Sequence, residues 1–127
     1  MRVLTLREPW ASLIGEKIKV IETRSWPTKY RGELYIHAGL TKVSKDDQPF
    51  IELLNGDLHY GNIFVKCNLI DCIKITNEYA DYVLEDNPTN FMCGNFAEGR
   101  YAWVLEDIEY IDPIPAKGHL SIWRYNE

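Results

Sequence analysis

Residues 4–14 read LTLREPWASLI, and two further stretches follow at short intervals, KVIETRSW at 19–26 and RGELYIHA at 31–38. The first stretch continues an alternating pattern over residues 3–7, which predicts a β-strand. Pro9 then suits the first turn of a helix, where its missing N–H costs nothing, and apolar residues follow it at i, i+3 and i+4 spacing. Residues 20–24 and 33–37 predict two more strands, joined by a basic and aromatic loop that Pro and Gly interrupt.

The rest of the chain also favours strands over helices. The patterns predict a helix capped by Ser44, a long strand over residues 62–75, a short helix over 76–85, an irregular stretch over 87–99, a strand over 101–111 and a last short strand ending around Trp123. The regular strand–helix alternation of a doubly wound sheet is missing. We therefore expect one domain over residues 1–127, of α+β class but mainly β, with a mixed β-barrel and a few short helices.

Composition narrows the function classes. At 127 residues and 46% apolar residues, the chain can bury a core without disulfides. We expect a cytoplasmic protein that does not enter a membrane, because no apolar run reaches the roughly 20 residues of a spanning helix. The net charge of −5 argues against nonspecific coating of nucleic acid, although residues 1–45 hold nine Lys or Arg against four Asp or Glu. The remainder holds five against fifteen, so one end of the domain can still attract an anion.

The cysteines and histidines give no sign of a metal site or a cofactor. Cys67, Cys72 and Cys93 are odd in number and follow no zinc or redox spacing. The three histidines have no Cys or carboxylate partner at a recognised metal-ligand spacing. We predict no metal and no cofactor.

The three N-terminal stretches together resemble the ASCH family, named for homology to an activating-signal cointegrator, of the PUA-like superfamily. Later segments at 69–72, 101–105 and 113–118 resemble the family's closing strands, so the likeness covers nearly the whole chain. Two positions depart from the family pattern, because Lys17 and Val65 stand where the family usually has Gly. The resemblance implies a PUA-like β-barrel with a cleft beside the first helix, in a superfamily whose members bind RNA or modified bases.

The candidate ligand-binding residues lie mainly in the first third of the chain. Arginine forks and a lysine suit phosphate or carboxylate, tryptophans suit base stacking, and a carboxylate suits a base amine or a neighbouring cation. The candidates are Trp10, Lys17, Lys19, Glu22, Arg24, Trp26, Arg31 and Lys117. The plainer alternatives are a core role for the tryptophans, an ordinary ion pair for Glu22 and a solvated turn for Lys117.

Three functions remain open, and the binding of RNA or a nucleotide leads. The alternative follows from the resemblance, because some small bacterial relatives are amidohydrolases acting on N4-acetylcytidine through a Lys, a Thr and a Glu. Lys19 takes the Lys position and Glu22 the Thr position, so these two are the catalytic candidates. Pairing with Glu22 would favour the protonated amine, and residues three apart converge only if the strand begins late or is bulged.

The third function is a protein-interaction module presenting Trp26 and Tyr30.

Overall fold

A computed structural model describes residues 1–126 of the protein. Six strands and four α-helices follow one another along the chain, with a short 3-10 helix before the second α-helix. They are β1 (Arg2–Leu6), α1 (Trp10–Gly15), β2 (Ile21–Arg24), β3 (Gly32–Ala38), the 3-10 helix (Lys45–Asp47), α2 (Gln48–Ile51), β4 (Asn62–Lys74), α3 (Asn77–Asp86), α4 (Pro88–Met92), β5 (Tyr101–Pro115) and β6 (Ile122–Arg124).

All six strands form one sheet in the order β2-β5-β4-β3-β1-β6. Only β1 and β3 pair in parallel, and the other neighbours are antiparallel. The pairing of β4 with β5 shifts register at three places, and such bulges bend a strand and increase its twist. The sheet curls into a half-barrel, which confirms the prediction of a mainly β, barrel-like fold with a few short helices.

The main core lies between the sheet and α1. Leucines of β1 and β3 meet Trp103 and Leu105 of β5, and α1 closes the space with Ala11 and Ile14. Gly15 permits this approach, because a Cβ there would lie 2.9 Å from a ring carbon of Tyr110. The same Cβ would lie 3.2 Å from a methyl of Val65, which is wholly buried. The side chain that replaces the family's usual Gly therefore fills the space beside Gly15.

The prediction of an irregular stretch over residues 87–99 was wrong in its first part. Asn87 accepts a hydrogen bond from the Asn90 backbone N–H and caps α4, with Pro88 in the first turn. Asn90 is buried, and its side-chain oxygen accepts from the Val20 N–H at 3.0 Å. This bond fixes α4 against the segment that leads into β2.

The predicted helix after Ser44 is shorter than expected and divided. Ser44 and Asp47 form a capping box on the 3-10 helix, and α2 follows it directly. Over residues 1–126, no helix is long and apolar enough to cross a membrane. The same residues contain no group of three or more His, Cys, Asp or Glu side chains placed to hold a metal ion.

Candidate functional site

A cavity of about 400 Å³ opens beside α1. This volume falls within the range of about 300–1,000 Å³ typical of small-molecule sites. The lining residues come from α1, the segment before β2, β2, α2, the last residue of α4 and the turn after it: Trp10, Lys19, Glu22, Thr23, Phe50, Met92, Cys93, Gly94 and Asn95. Trp10 and Phe50 meet edge to face, with ring centroids 4.8 Å apart, so one wall is aromatic. We call this space the Lys19 cavity.

Lys19 is 1% exposed and forms the floor of the cavity. Its Nζ donates to the carbonyl oxygens of Ile21 and Cys93, each at 2.8 Å, and lies 3.4 Å from Glu22 Oε1. The three acceptors match the three N–H donors of an ammonium group. A lysine so deeply buried must be paired and hydrogen-bonded in this way to be tolerated.

The late start of β2 explains why Lys19 and Glu22 converge. The strand begins at Ile21, so Lys19 precedes it and is not bound by strand alternation. Lys17 adopts a φ of 62° just after α1, and the following Ile18 N–H returns to the Leu13 carbonyl at 3.0 Å. This left-handed conformation favours glycine, which accounts for the family's Gly at position 17. At position 17, the turn after α1 therefore constrains the backbone conformation.

Glu22 links two cations. Its Oε1 faces Lys19, and its Oε2 accepts from Arg24 Nη1 at 3.2 Å. Arg24 is held between two tryptophans, with its guanidinium carbon 4.5 Å from the ring centroid of Trp26 and 5.4 Å from that of Trp103. The buried Nε of Arg24 has no hydrogen-bond partner among residues 1–126. The Glu22 carboxylate is thus positioned from both sides before any ligand arrives.

The wall opposite Trp10 is built from the turn after α4. Thr23 Oγ1 accepts from the Asn95 N–H at 2.9 Å, which leaves the hydroxyl hydrogen of Thr23 free to donate. Gly94 allows the turn to approach β2, since a Cβ there would lie 2.9 Å from a ring carbon of Phe96 and 3.1 Å from the Thr23 methyl. Burial raises the pKa of the Cys93 thiol, and the nearby Lys19 charge only partly opposes this rise. Cys93 is therefore a neutral wall residue at physiological pH.

The structure brings together five of the eight residues proposed from the sequence. Trp10, Lys19 and Glu22 line the cavity, Arg24 binds Glu22 from behind, and Trp26 stacks on Arg24 instead of entering the cavity. Trp26 remains 44% exposed.

The structure does not bring Lys17, Arg31 or Lys117 to the Lys19 cavity. Lys17 lines a separate cavity beside Glu16. Arg31 turns back on its own loop and donates to the carbonyls of Thr28 and Tyr30 at 2.9 and 2.8 Å. Lys117 lines a third cavity with His37 and His119, among others.

Sequence reasoning missed six lining residues, namely Thr23, Phe50, Met92, Cys93, Gly94 and Asn95. Thr23 could have been selected from the sequence, because it lies between the candidates Glu22 and Arg24 in the KVIETRSW stretch. The others come from helices and turns far along the chain, where no local pattern indicates the cavity.

The family model of the ASCH domain matches residues 4–115. The chain belongs to the ASCH family. This ASCH domain is 32% identical to activating signal cointegrator 1 of Homo sapiens over 136 residues, and 31% identical to the same protein of Mus musculus over 136 residues. Each match covers 95% of the domain and 22% of the relative, so the chain spans about a fifth of the length of these curated relatives.

The ASCH domain also resembles solved structures. The crystal structure of ASCH from Zymomonas mobilis superposes with a TM-score of 0.57 at 15% identity, covering 90% of this chain and 72% of that one. A mutant of the Zymomonas mobilis protein, with one tyrosine replaced by phenylalanine, gives a TM-score of 0.56 at 14% identity, covering 90% of this chain and 74% of that one. These likenesses identify the same PUA-like fold.

Proposed function

We propose that this ASCH domain binds RNA or a modified nucleoside by taking a single base into the Lys19 cavity. The family is in general related to RNA binding, which supports this class of ligand. The observation that carries the proposal is the Glu22 carboxylate, whose side chain is 12% exposed and which is held between Lys19 and Arg24, facing a cavity with an aromatic wall. A flat apolar wall and a few fixed polar groups are what an unstacked base needs.

The polar groups of the cavity suit a base edge better than a phosphate. Glu22 oxygens keep lone pairs that can accept from an exocyclic amine. The Thr23 hydroxyl can donate to a ring nitrogen or a carbonyl oxygen. All three donors of Lys19 point at protein oxygens, and its charge is offset by Glu22. No unpaired cation lines the cavity within residues 1–126, so a neutral group fits there best.

The test is calorimetric titration of the domain with nucleosides, including cytidine and N4-acetylcytidine. Glu22→Gln keeps the shape of the side chain and removes its charge, and Glu109→Gln is the matched control on the exposed side of β5. We expect Glu22→Gln to weaken nucleoside binding about tenfold or more, since hydrogen bonds to a charged group contribute roughly 1.5–3 kcal/mol. Equal affinities in the wild type and both variants would refute base recognition by Glu22.

A second candidate function is hydrolysis of an N4-acylated cytidine. It is favoured by one observation, which is that a Lys, a Thr and a Glu line the same cavity as Lys19, Thr23 and Glu22. In the hydrolysis, water adds to the acyl carbon, the bond from that carbon to N4 breaks, and N4 takes up a proton. Lys19 would have to release a proton and leave its acceptors to act as base or nucleophile.

Chromatography of N4-acetylcytidine incubated with the domain tests this second function. Turnover that is lost in a Lys19→Met protein shown by circular dichroism to be folded, and that is retained in Lys17→Met, would establish the hydrolase. Binding of the substrate without release of cytidine, at high protein concentration, would leave recognition as the function.

A further inference from the structure

Two arginines face each other across the edge of the sheet, away from the Lys19 cavity. Arg2 of β1 lies directly opposite Arg124 of β6 in the antiparallel register, and both side chains are exposed. Residues in this relation have Cβ atoms about 4.5–5.5 Å apart on the same face, and like charges there are destabilising. Within residues 1–126, neither guanidinium forms an ion pair with a carboxylate. An anion between the two would relieve their repulsion.

A tyrosine platform supports the arginine pair. The guanidinium carbon of Arg2 lies 5.1 Å from the ring centroid of Tyr30, whose hydroxyl donates to the Glu33 carbonyl. Tyr30 also packs against the main core, so the ring cannot swing freely. The two arginines and Tyr30 line a cavity of about 220 Å³ together with Glu33, whose carboxylate is engaged by Lys66 at 3.4 Å. Two planar guanidinium forks at such a site suit a phosphate group.

The loop over residues 25–31 connects this pair to the Lys19 cavity. Tyr30 follows Arg24 by six residues, so their Cα atoms are at most about 22 Å apart even in a fully extended chain. The loop presents the exposed ring of Trp26 and the charged side chain of Lys29, beside the exposed Arg31, whose guanidinium is held by loop carbonyls. Cations interleaved with aromatic rings along a surface are the pattern of single-strand binders, whose small domains cover roughly 4–16 nucleotides.

We propose that Arg2 and Arg124 together hold a backbone phosphate of a single-stranded RNA, several nucleotides away from the base in the Lys19 cavity. This inference rests on the proposed function, and it adds a polymer-binding track to a base pocket. The net charge of −5 restricts RNA binding to this path, because much of the remaining surface repels phosphate. The arginine pair then contributes affinity that grows with strand length but no base discrimination.

The experiment measures fluorescence anisotropy of labelled single-stranded RNAs of two, four, eight and twelve nucleotides across a salt series. The test variant is Arg2→Gln with Arg124→Gln, and the matched control is Lys45→Gln with Lys74→Gln, which removes the same charge from exposed positions elsewhere. Thermal unfolding verifies that each variant folds. Calorimetry with a nucleoside, a nucleoside 5′-phosphate and inorganic phosphate completes the comparison.

We expect the arginine variant to lose about tenfold or more in affinity for the eight-nucleotide RNA and about 0.7 units of salt slope, since one neutralised phosphate of a single strand contributes about that much. Its affinity for the nucleoside should not change. The opposite result is an arginine variant whose RNA affinity and salt slope equal those of the wild type, while the wild type still binds the nucleoside. This result would overturn the polymer-binding track and leave the proposed function standing.

Two further outcomes separate the alternatives. Failure of the wild type to bind any nucleoside or RNA would overturn both proposals. The arginine pair could also bind inorganic phosphate or the nucleoside 5′-phosphate as tightly as the protein binds the longest RNA. This result would identify a simple anion site and overturn the polymer track.

Discussion

Replacing Lys19 by Met tests whether the buried ammonium holds the site together. Methionine has a similar length and no charge, so the change removes the donors to Ile21 and Cys93 and one of the two cations that hold Glu22. Two buried carbonyls then lose their partner, while Glu22 keeps Arg24. Removing one member of a buried ion pair costs roughly 3–5 kcal/mol, and we expect a loss of unfolding free energy within that range.

Urea denaturation followed by tryptophan fluorescence measures the effect. With a urea dependence of about 2 kcal/mol per molar, a loss of about 4 kcal/mol lowers the midpoint by about 2 M at unchanged slope. Lys17→Met is the matched control, because Lys17 is exposed and a surface substitution of this kind changes stability by about 0.5 kcal/mol or less. A Lys19→Met protein as stable as the wild type would refute the reasoning. The ammonium would then contribute no more to stability than the methionine that replaces it.

Three other predictions concern the backbone and the pH dependence. Lys17→Gly should stabilise the domain by about 0.5–1 kcal/mol in urea denaturation, because a left-handed residue costs roughly 1–2 kcal/mol and the glycine entropy offsets part of the gain. Gly94→Ala should destabilise it by about 1–3 kcal/mol, since the new methyl would meet Phe96 at 2.9 Å, and a midpoint equal to that of the wild type would contradict this. The Ser44 backbone N–H holds the pKa of Asp47 below its usual range, so Asp47 stabilises the fold above its unfolded pKa and loses this contribution as pH falls through the lowered value. Urea midpoints of Asp47→Asn should accordingly fall less steeply on acidification than those of the wild type.

Local patterns predicted the fold well because strand alternation and helix stripes depend on neighbouring residues. They failed at α4, because residues 87–99 are rich in turn-forming residues, although Asn87 caps the helix and Pro88 stands in its first turn. The convergence of Lys19 with Glu22 depended on where β2 begins, and propensity does not fix an element boundary that closely. Arg31 and Lys117 were chosen for their chemistry alone, and the course of their loops takes them elsewhere.

The cavity as a whole could not be predicted, because its two walls are distant in sequence. The family resemblance located the wall that carries Trp10, Lys19 and Glu22. Phe50, which completes the aromatic wall beside Trp10, and Asn95 of the facing wall join the cavity only when α2 and the turn after α4 pack against these residues. Those contacts depend on tertiary structure, which no window of a single sequence contains.

The hydrogen bond from Lys19 to the Cys93 carbonyl joins positions 74 residues apart. Closing a flexible chain of that length costs about 4 kcal/mol in polymer statistics, which long-range contacts must supply before the cavity exists. Strand β2 also depends on a long-range contact, because its only partner in the described sheet is β5. During synthesis the motif at residues 4–38 therefore emerges well before the Lys19 cavity can form, and the cavity is complete only after the β5 segment has emerged and paired with β2.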